Sequence, residues 1–171
     1  GGIVTLAPRL PREEAMKEAA DILAAAGAVT DAYFDAMQQR EETVSTYMGN
    51  ELAIPHGTNE TKETILESGL SVVRYDGGVD WGGEPVTFVI GIAGRGDEHL
   101  EILSQIAILF SDEDEVENLK KHMGDKLLIE VAGRIQANAR GGVVARLSGD
   151  EFGLIIDGKQ PDAGKALAEK L

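Results

Sequence analysis

The run Val86-Thr87-Phe88-Val89-Ile90-Gly91-Ile92-Ala93 is apolar at almost every position, and it constrains the fold more than any other stretch of the chain. A strand with one wet face alternates apolar and polar residues, whereas an unbroken apolar strand must be covered on both faces. The run therefore predicts a central strand with layers packed above and below it. Pro11 to Ala26 can supply one layer as a helix, with Ala15, Met16, Ala19, Ile22, Leu23 and Ala26 along one stripe and Gly27 closing it. Thr30 is positioned to cap a second helix running through Arg40, with Tyr33, Phe34 and Met37 as its buried face. Asp97 opens a third, whose Leu100, Leu103, Ile106, Ala107 and Phe110 face the core. Leu52 to Ile54 and Leu70 to Tyr75 read as further strands and Glu60 to Leu66 as a short helix or turn. Gly77-Gly78 and Gly82-Gly83 bracket a loop around Val79-Asp80-Trp81. Alternation of this kind predicts an α/β fold, an open sheet with helices on its faces.

The stretch Asn50-Glu51-Leu52-Ala53-Ile54-Pro55-His56-Gly57-Thr58 carries the chemistry. Pro55 ends the strand's ladder because it has no N–H to donate. His56 then sits at the mouth of a strand, between a residue that fixes the incoming backbone and a glycine that leaves the ring uncovered. Reactive groups are often carried on loops anchored in this way. A structural histidine bonded to its neighbours has the same local pattern. His99 lies in Gly94-Arg95-Gly96-Asp97-Glu98-His99-Leu100, in the first turn of a helix, where N–H groups and the helix dipole favour an anion. Pairing with Asp97 or Glu98 is the alternative there. Arg40, in Gln38-Gln39-Arg40-Glu41-Glu42, is a clamp for an oxyanion, a surface partner of Glu41 or Glu42, or a cation favourably placed at the helix C-terminus.

Residues 40 to 58 and 94 to 100, in that order, resemble the EIIA domain of the mannitol/fructose class of the bacterial sugar phosphotransferase system. The resemblance covers roughly residues 3 to 121 and includes the acidic helix start Ser111-Asp112-Glu113-Asp114. It implies an open mixed sheet flanked by helices on both faces. It implies further that His56 accepts a phosphoryl group from the carrier protein HPr and passes it to a cysteine of an EIIB domain. Neutral imidazole is available for such an attack near its ordinary pKa of about 6.5. His99 and Arg40 then stabilise the transferred group, with Thr58 and Ser45 as lesser hydroxyl donors. Related mannitol-type proteins often read Gly-Glu-Ser before the histidine strand. This chain has Gly49-Asn50-Glu51, so no role is carried over to that carboxylate. No cofactor or metal is expected.

Formal net charge is −14, and it falls entirely on residues 1 to 121, because residues 122 to 171 hold seven acidic and seven basic side chains. Nucleic acid is excluded as a partner on electrostatic grounds, and a partner with basic residues around its own site is favoured. Zero cysteines exclude disulfides and thiolate chemistry, in keeping with a cytoplasmic setting. No apolar run is long enough to enter a bilayer as a helix. The opening Gly1-Gly2, with no methionine, reads as a processed end.

The charge boundary coincides with a second resemblance. His122 to Leu128, followed by Val143-Val144-Ala145-Arg146-Leu147-Ser148-Gly149-Asp150-Glu151-Phe152-Gly153-Leu154-Ile155-Ile156, is similar to the later half of a GGDEF domain, the diguanylate cyclase fold. Two apolar strands around a Gly-Asp turn also make a hairpin on physical grounds alone. Cyclase activity is not expected. The metal-binding first half has no counterpart, Ser148 replaces the first glycine of the signature, and Arg140 is followed at the third position by Val143 in place of the inhibitory aspartate. The chain thus reads as a chimera of an EIIA-like domain over 1–121 and a GGDEF-like fragment over 122–171, joined near residues 119 to 124. An amphipathic helix over Asp125 to Asn138 substitutes for the missing EIIA helices, and the hairpin extends the sheet or pairs with another copy. Two functions follow: a phosphocarrier with a phosphohistidine intermediate, or a catalytically silent chimeric fold serving as an interaction module.

Overall fold

A computed structural model describes residues 9–95, 98–121, 142–148 and 151–157. In chain order these form β1 (Leu10–Pro11), α1 (Arg12–Ala25), α2 (Tyr33–Thr43), β2 (Tyr47–Gly49), β3 (Leu52–Ala53), a kinked 3-10 segment (Asn59–Thr64), β4 (Gly69–Trp81), β5 (Glu84–Ala93), α3 (Glu98–Leu109), α4 (Glu113–Lys121), β6 (Gly142–Ser148) and β7 (Glu151–Asp157). The strands make one seven-stranded sheet in the order β2-β3-β5-β4-β7-β6, with β1 beside β4. β3–β5 and β1–β4 are parallel, and the other pairs are antiparallel. The sheet is mixed, as the resemblance implies. The hairpin of β6 and β7 extends it, Glu151 to Ile155 pairing with Val73 to Gly69. His122, Asp150, Asp97 and the helix expected over Asp125 to Asn138 lie outside the described residues.

β5 is the covered strand that its composition demands. Phe88, Ile90 and Ile92 pack with Ile102, Ile106, Leu109 and Phe110 of the α3 region and Val116 and Leu119 of α4. Val89 and Ala93 pack on the opposite face with Ala15, Ala19 and Leu23 of α1 and with Tyr33 and Met37 of α2. Phe110 meets Phe88 edge to face, ring centroids 5.5 Å apart. α1 starts on Pro11, with Glu13 and Glu14 in its first turn, where the helix dipole favours them. It ends in a Schellman motif. Gly27 at φ +82° donates to Ala24 O at 3.0 Å, and the Ala28 N–H donates to Leu23 O at 2.9 Å.

Three expectations need correction. The segment from Gly77 to Trp81 is strand and not loop. β4 bulges between Arg74 and Val79 against β5 and then turns tightly, with Trp81 opposite Glu84 and Gly82 and Gly83 both at positive φ. That is the two-residue hairpin turn that needs two left-handed residues. Leu100 is 58% exposed, and the core positions of α3 are Ile102 and Leu109 alongside Ile106. Thr30 caps nothing with its hydroxyl. α2 begins at Tyr33, whose N–H reaches the Thr30 carbonyl at 3.1 Å.

α1 approaches the sheet closely because Gly91 leaves room for it. A Cβ there would stand 2.4 Å from Ser71 Oγ and 3.0 Å from Ala19 Cβ. Gly91→Ala is expected to lower unfolding stability by about 1–3 kcal/mol through overpacking. Denaturant unfolding checks this, and an unchanged midpoint would show that α1 can lift away at no cost.

Candidate functional site

β3 and β5 are parallel neighbours, so their C-terminal ends open on the same edge of the sheet. Binding crevices in α/β sheets form outside such ends. His56 extends β3 past Pro55 and bridges Ile92 in parallel, and the Ile92 N–H donates to the Pro55 carbonyl at 3.0 Å. The segment after β5 leads into α3, whose second residue is His99. Its near end is pinned by the Arg95 N–H donating to the buried Ser68 Oγ at 2.9 Å. The topology therefore brings the two histidine-bearing segments to one edge. The His99 side chain lies outside the described residues.

The His56 ring is half-buried, with Nδ1 2.8 Å from the Ile54 carbonyl oxygen. A carbonyl can only accept, so Nδ1 carries the proton and, in the neutral ring, the lone pair lies on Nε2. The loop beyond is fixed from α2. The Gly57 N–H donates to Tyr33 Oη at 2.9 Å, and Tyr33 in turn donates to the Ile92 carbonyl. Burial pushes the Tyr33 hydroxyl up to about 12, opposed by the Gly57 N–H, so it stays protonated. A Cβ at Gly57 would stand 2.9 Å from Tyr33 Cε2 and 3.3 Å from Ala36 Cβ, which is why glycine follows the histidine.

Arg40 lies in the last turn of α2, and its Nη1 donates to the Val44 carbonyl at 2.7 Å. It is half-buried, and this bond to the backbone just past the helix matches the placement at the helix C-terminus that its position offered as an alternative. Ser45 gives its hydroxyl to Glu41 at 2.9 Å, and Thr58 Oγ1 lies 3.4 Å from Thr61 Oγ1. Among the described residues no group of three or more His, Asp or Glu is arranged to share a metal ion.

Glu41 is the residue whose importance the sequence hid. It is 6% exposed and accepts from the Thr46 N–H at 3.0 Å, from the Thr46 hydroxyl, from Ser45 Oγ and from Trp81 Nε1 at 2.8 Å, with Arg12 Nη1 at 3.8 Å. Its carboxylate thereby ties α2 to the β4–β5 hairpin. It also holds the segment leading into β2, whose Thr46 carbonyl accepts from the Ile54 N–H at 3.1 Å, two residues before His56. Glu51, for which no role was expected, has a structural one. The β2–β3 turn places Asn50 and Glu51 at φ 48° and 64°. Asn50 Nδ2 donates to the Phe110 carbonyl at 2.9 Å, Thr87 Oγ1 donates to Glu51 at 2.9 Å, and Lys120 of α4 pairs with Glu51.

The family model for the phosphoenolpyruvate-dependent sugar phosphotransferase system, EIIA 2, matches residues 3–131. The model for the diguanylate cyclase GGDEF domain matches residues 94–171. The chain is 53% identical over 108 residues to the mannitol-specific phosphotransferase enzyme IIA component of Staphylococcus aureus, covering 63% of this chain and 75% of that one. It is 46% identical over 121 residues to the component of the same name from Bacillus subtilis, covering 70% and 85%. Among solved structures, IIA mannitol from Escherichia coli superposes with a TM-score of 0.66 at 33% identity, over 74% of this chain and 92% of that chain. The complex of enzyme IIA mannitol with phosphorylated enzyme IIB mannitol, from the same organism, gives 0.67 at 33% identity, over 75% and 92%.

Proposed function

The chain belongs to the EIIA 2 family of the phosphoenolpyruvate-dependent sugar phosphotransferase system, and from that premise we propose that His56 is its phosphoryl acceptor, loaded by phospho-HPr and unloaded by an EIIB cysteine. The observation that carries this reading is the Nδ1 bond to the Ile54 carbonyl, which directs the neutral ring's lone pair to Nε2 at the open end of β3. In the first step the P–N bond of phospho-HPr breaks as Nε2 of His56 forms a new one. In the second, that bond breaks as the EIIB thiolate sulfur attacks phosphorus. Such transfers depend on positioning and charge stabilisation. His99, in the first turn of α3, donates to a phosphoryl oxygen, and the Arg40 guanidinium offsets its charge.

A cytoplasmic location fits these partners, and among the described residues no helix is long and apolar enough to cross a membrane. We further take the chain as an EIIA-like domain over 1–121 joined to a GGDEF-like fragment over 122–171. The two family matches overlap over 94–131, a stretch that contains the inferred joint. The catalytically silent chimera is the competing reading. Incubation with phosphoenolpyruvate, enzyme I and HPr is expected to add one acid-labile phosphoryl group by intact mass. A folded sample that stays unlabelled would favour the silent chimera.

A further inference from the structure

We infer that Tyr33 is a positioning residue for the His56 ring: its hydroxyl is inserted into the ladder between β5 and the extension of β3, and so sets where the ring leaves the sheet. The inference rests on the reading of His56 as phosphoryl acceptor. In a parallel ladder, a bridging residue has the carbonyl before it and the N–H after it bonded to the same neighbour. His56 bridges Ile92, and the first of these bonds is present, from the Ile92 N–H to the Pro55 carbonyl at 3.0 Å. The second would run from the Gly57 N–H to the Ile92 carbonyl. At that step stands the Tyr33 hydroxyl, accepting from Gly57 at 2.9 Å and donating onward to Ile92.

The hydroxyl acts as a spacer one oxygen wide. It satisfies both backbone groups while parting the two chains just where His56 sits. Tyr33 is 1% exposed, and the space beside its ring at Gly57 is too tight even for a Cβ, so water has little room to replace the hydroxyl. Without it, the buried Ile92 carbonyl is left unsatisfied, which is costly, and is drawn toward the Gly57 N–H. The peptide that moves is the one attached to His56. Displacements of about 1 Å or less can cost up to about 100-fold in rate.

Two measurements on the full chain test this with Tyr33→Phe, made well below its unfolding temperature. Rapid-quench transfer from phospho-HPr is expected to show kcat reduced by about 10- to 100-fold with KM within about twofold of the parent. ¹⁵N resonances of the His56 ring, followed against pH without any partner, are expected to shift in tautomer balance. A variant that loses thermal stability yet keeps parental kcat and ring resonances would overturn the inference, since that is what a purely structural tyrosine predicts. If the parent itself takes no phosphoryl group, the acceptor reading fails. The ring resonances alone then judge Tyr33, a shift upholding the spacer role and no shift ending it. Should Tyr33→Phe not fold, 3-fluorotyrosine at position 33 keeps the ring and alters the hydroxyl's donor strength. The same two readouts then apply, with unchanged values counting against the inference.

Discussion

His56→Ala is expected to abolish phosphoryl uptake from phospho-HPr while leaving the protein folded. The ring is half-buried, and its Nδ1 bond goes to the carbonyl of Ile54, two residues earlier. Loss of that side chain to backbone hydrogen bond costs about 0.5–1.5 kcal/mol. The sheet edge it stands on is held independently, by the bond from Ile92 to Pro55 and by the Tyr33 hydroxyl contacts. Function has no such redundancy. With Nε2 as the proposed acceptor, its removal takes away the atom that forms the P–N bond, so a complete loss is expected and not a slower rate. Intact mass after incubation with the phosphoryl donors, paired with a thermal melt, checks both halves of the expectation. Labelling that persists at the parental level would assign the acceptor to another residue, and peptide mapping would then have to consider His99 and His122.

The parts of this fold that depend on apolar patterning were legible in the sequence. An unbroken apolar run can only be a covered strand, and β5 lies between β3 and β4 with helices on both faces. Proline before His56 marked a break in β3, although the pairing with β5 resumes beyond it, where His56 bridges Ile92. Polar burial was not legible in the same way. Glu41 looks like half of a surface pair because its neighbours in sequence are charged, yet its donors come from Trp81, forty positions away, and from Thr46 across a turn. Tyr33 reads as one more apolar contact, since nothing local shows that its hydroxyl meets Gly57 and Ile92. The stretch from Gly77 to Trp81 reads as loop in sequence for a related reason. Paired glycines mark turns, and only the register of β4 against β5 separates a bulge from a loop. Long-range pairing decides each of these cases, and no local window contains it.

Glu41→Ala is expected to cost about 3–5 kcal/mol of stability. The carboxylate is nearly inaccessible, and removing it strands the Trp81 Nε1–H and the Thr46 N–H in a buried site. Each lost partner costs about 1–3 kcal/mol where water cannot enter to replace it. Glu41→Gln should cost less, because the amide oxygen still accepts from Trp81 while its NH₂ faces a Thr46 N–H that needs an acceptor. Trp81 is the only tryptophan in the chain, so its fluorescence reports on this cluster directly during urea unfolding. Activity should part company with stability here. The bonds from His56 to Ile54 and from Gly57 to Tyr33 do not pass through the carboxylate, so the folded fraction of Glu41→Ala should still accept a phosphoryl group at low temperature. A loss of stability below about 1 kcal/mol would mean that the buried donors find other partners. Glu41 would then be an occupant of the junction between α2 and the hairpin, and not what holds it together.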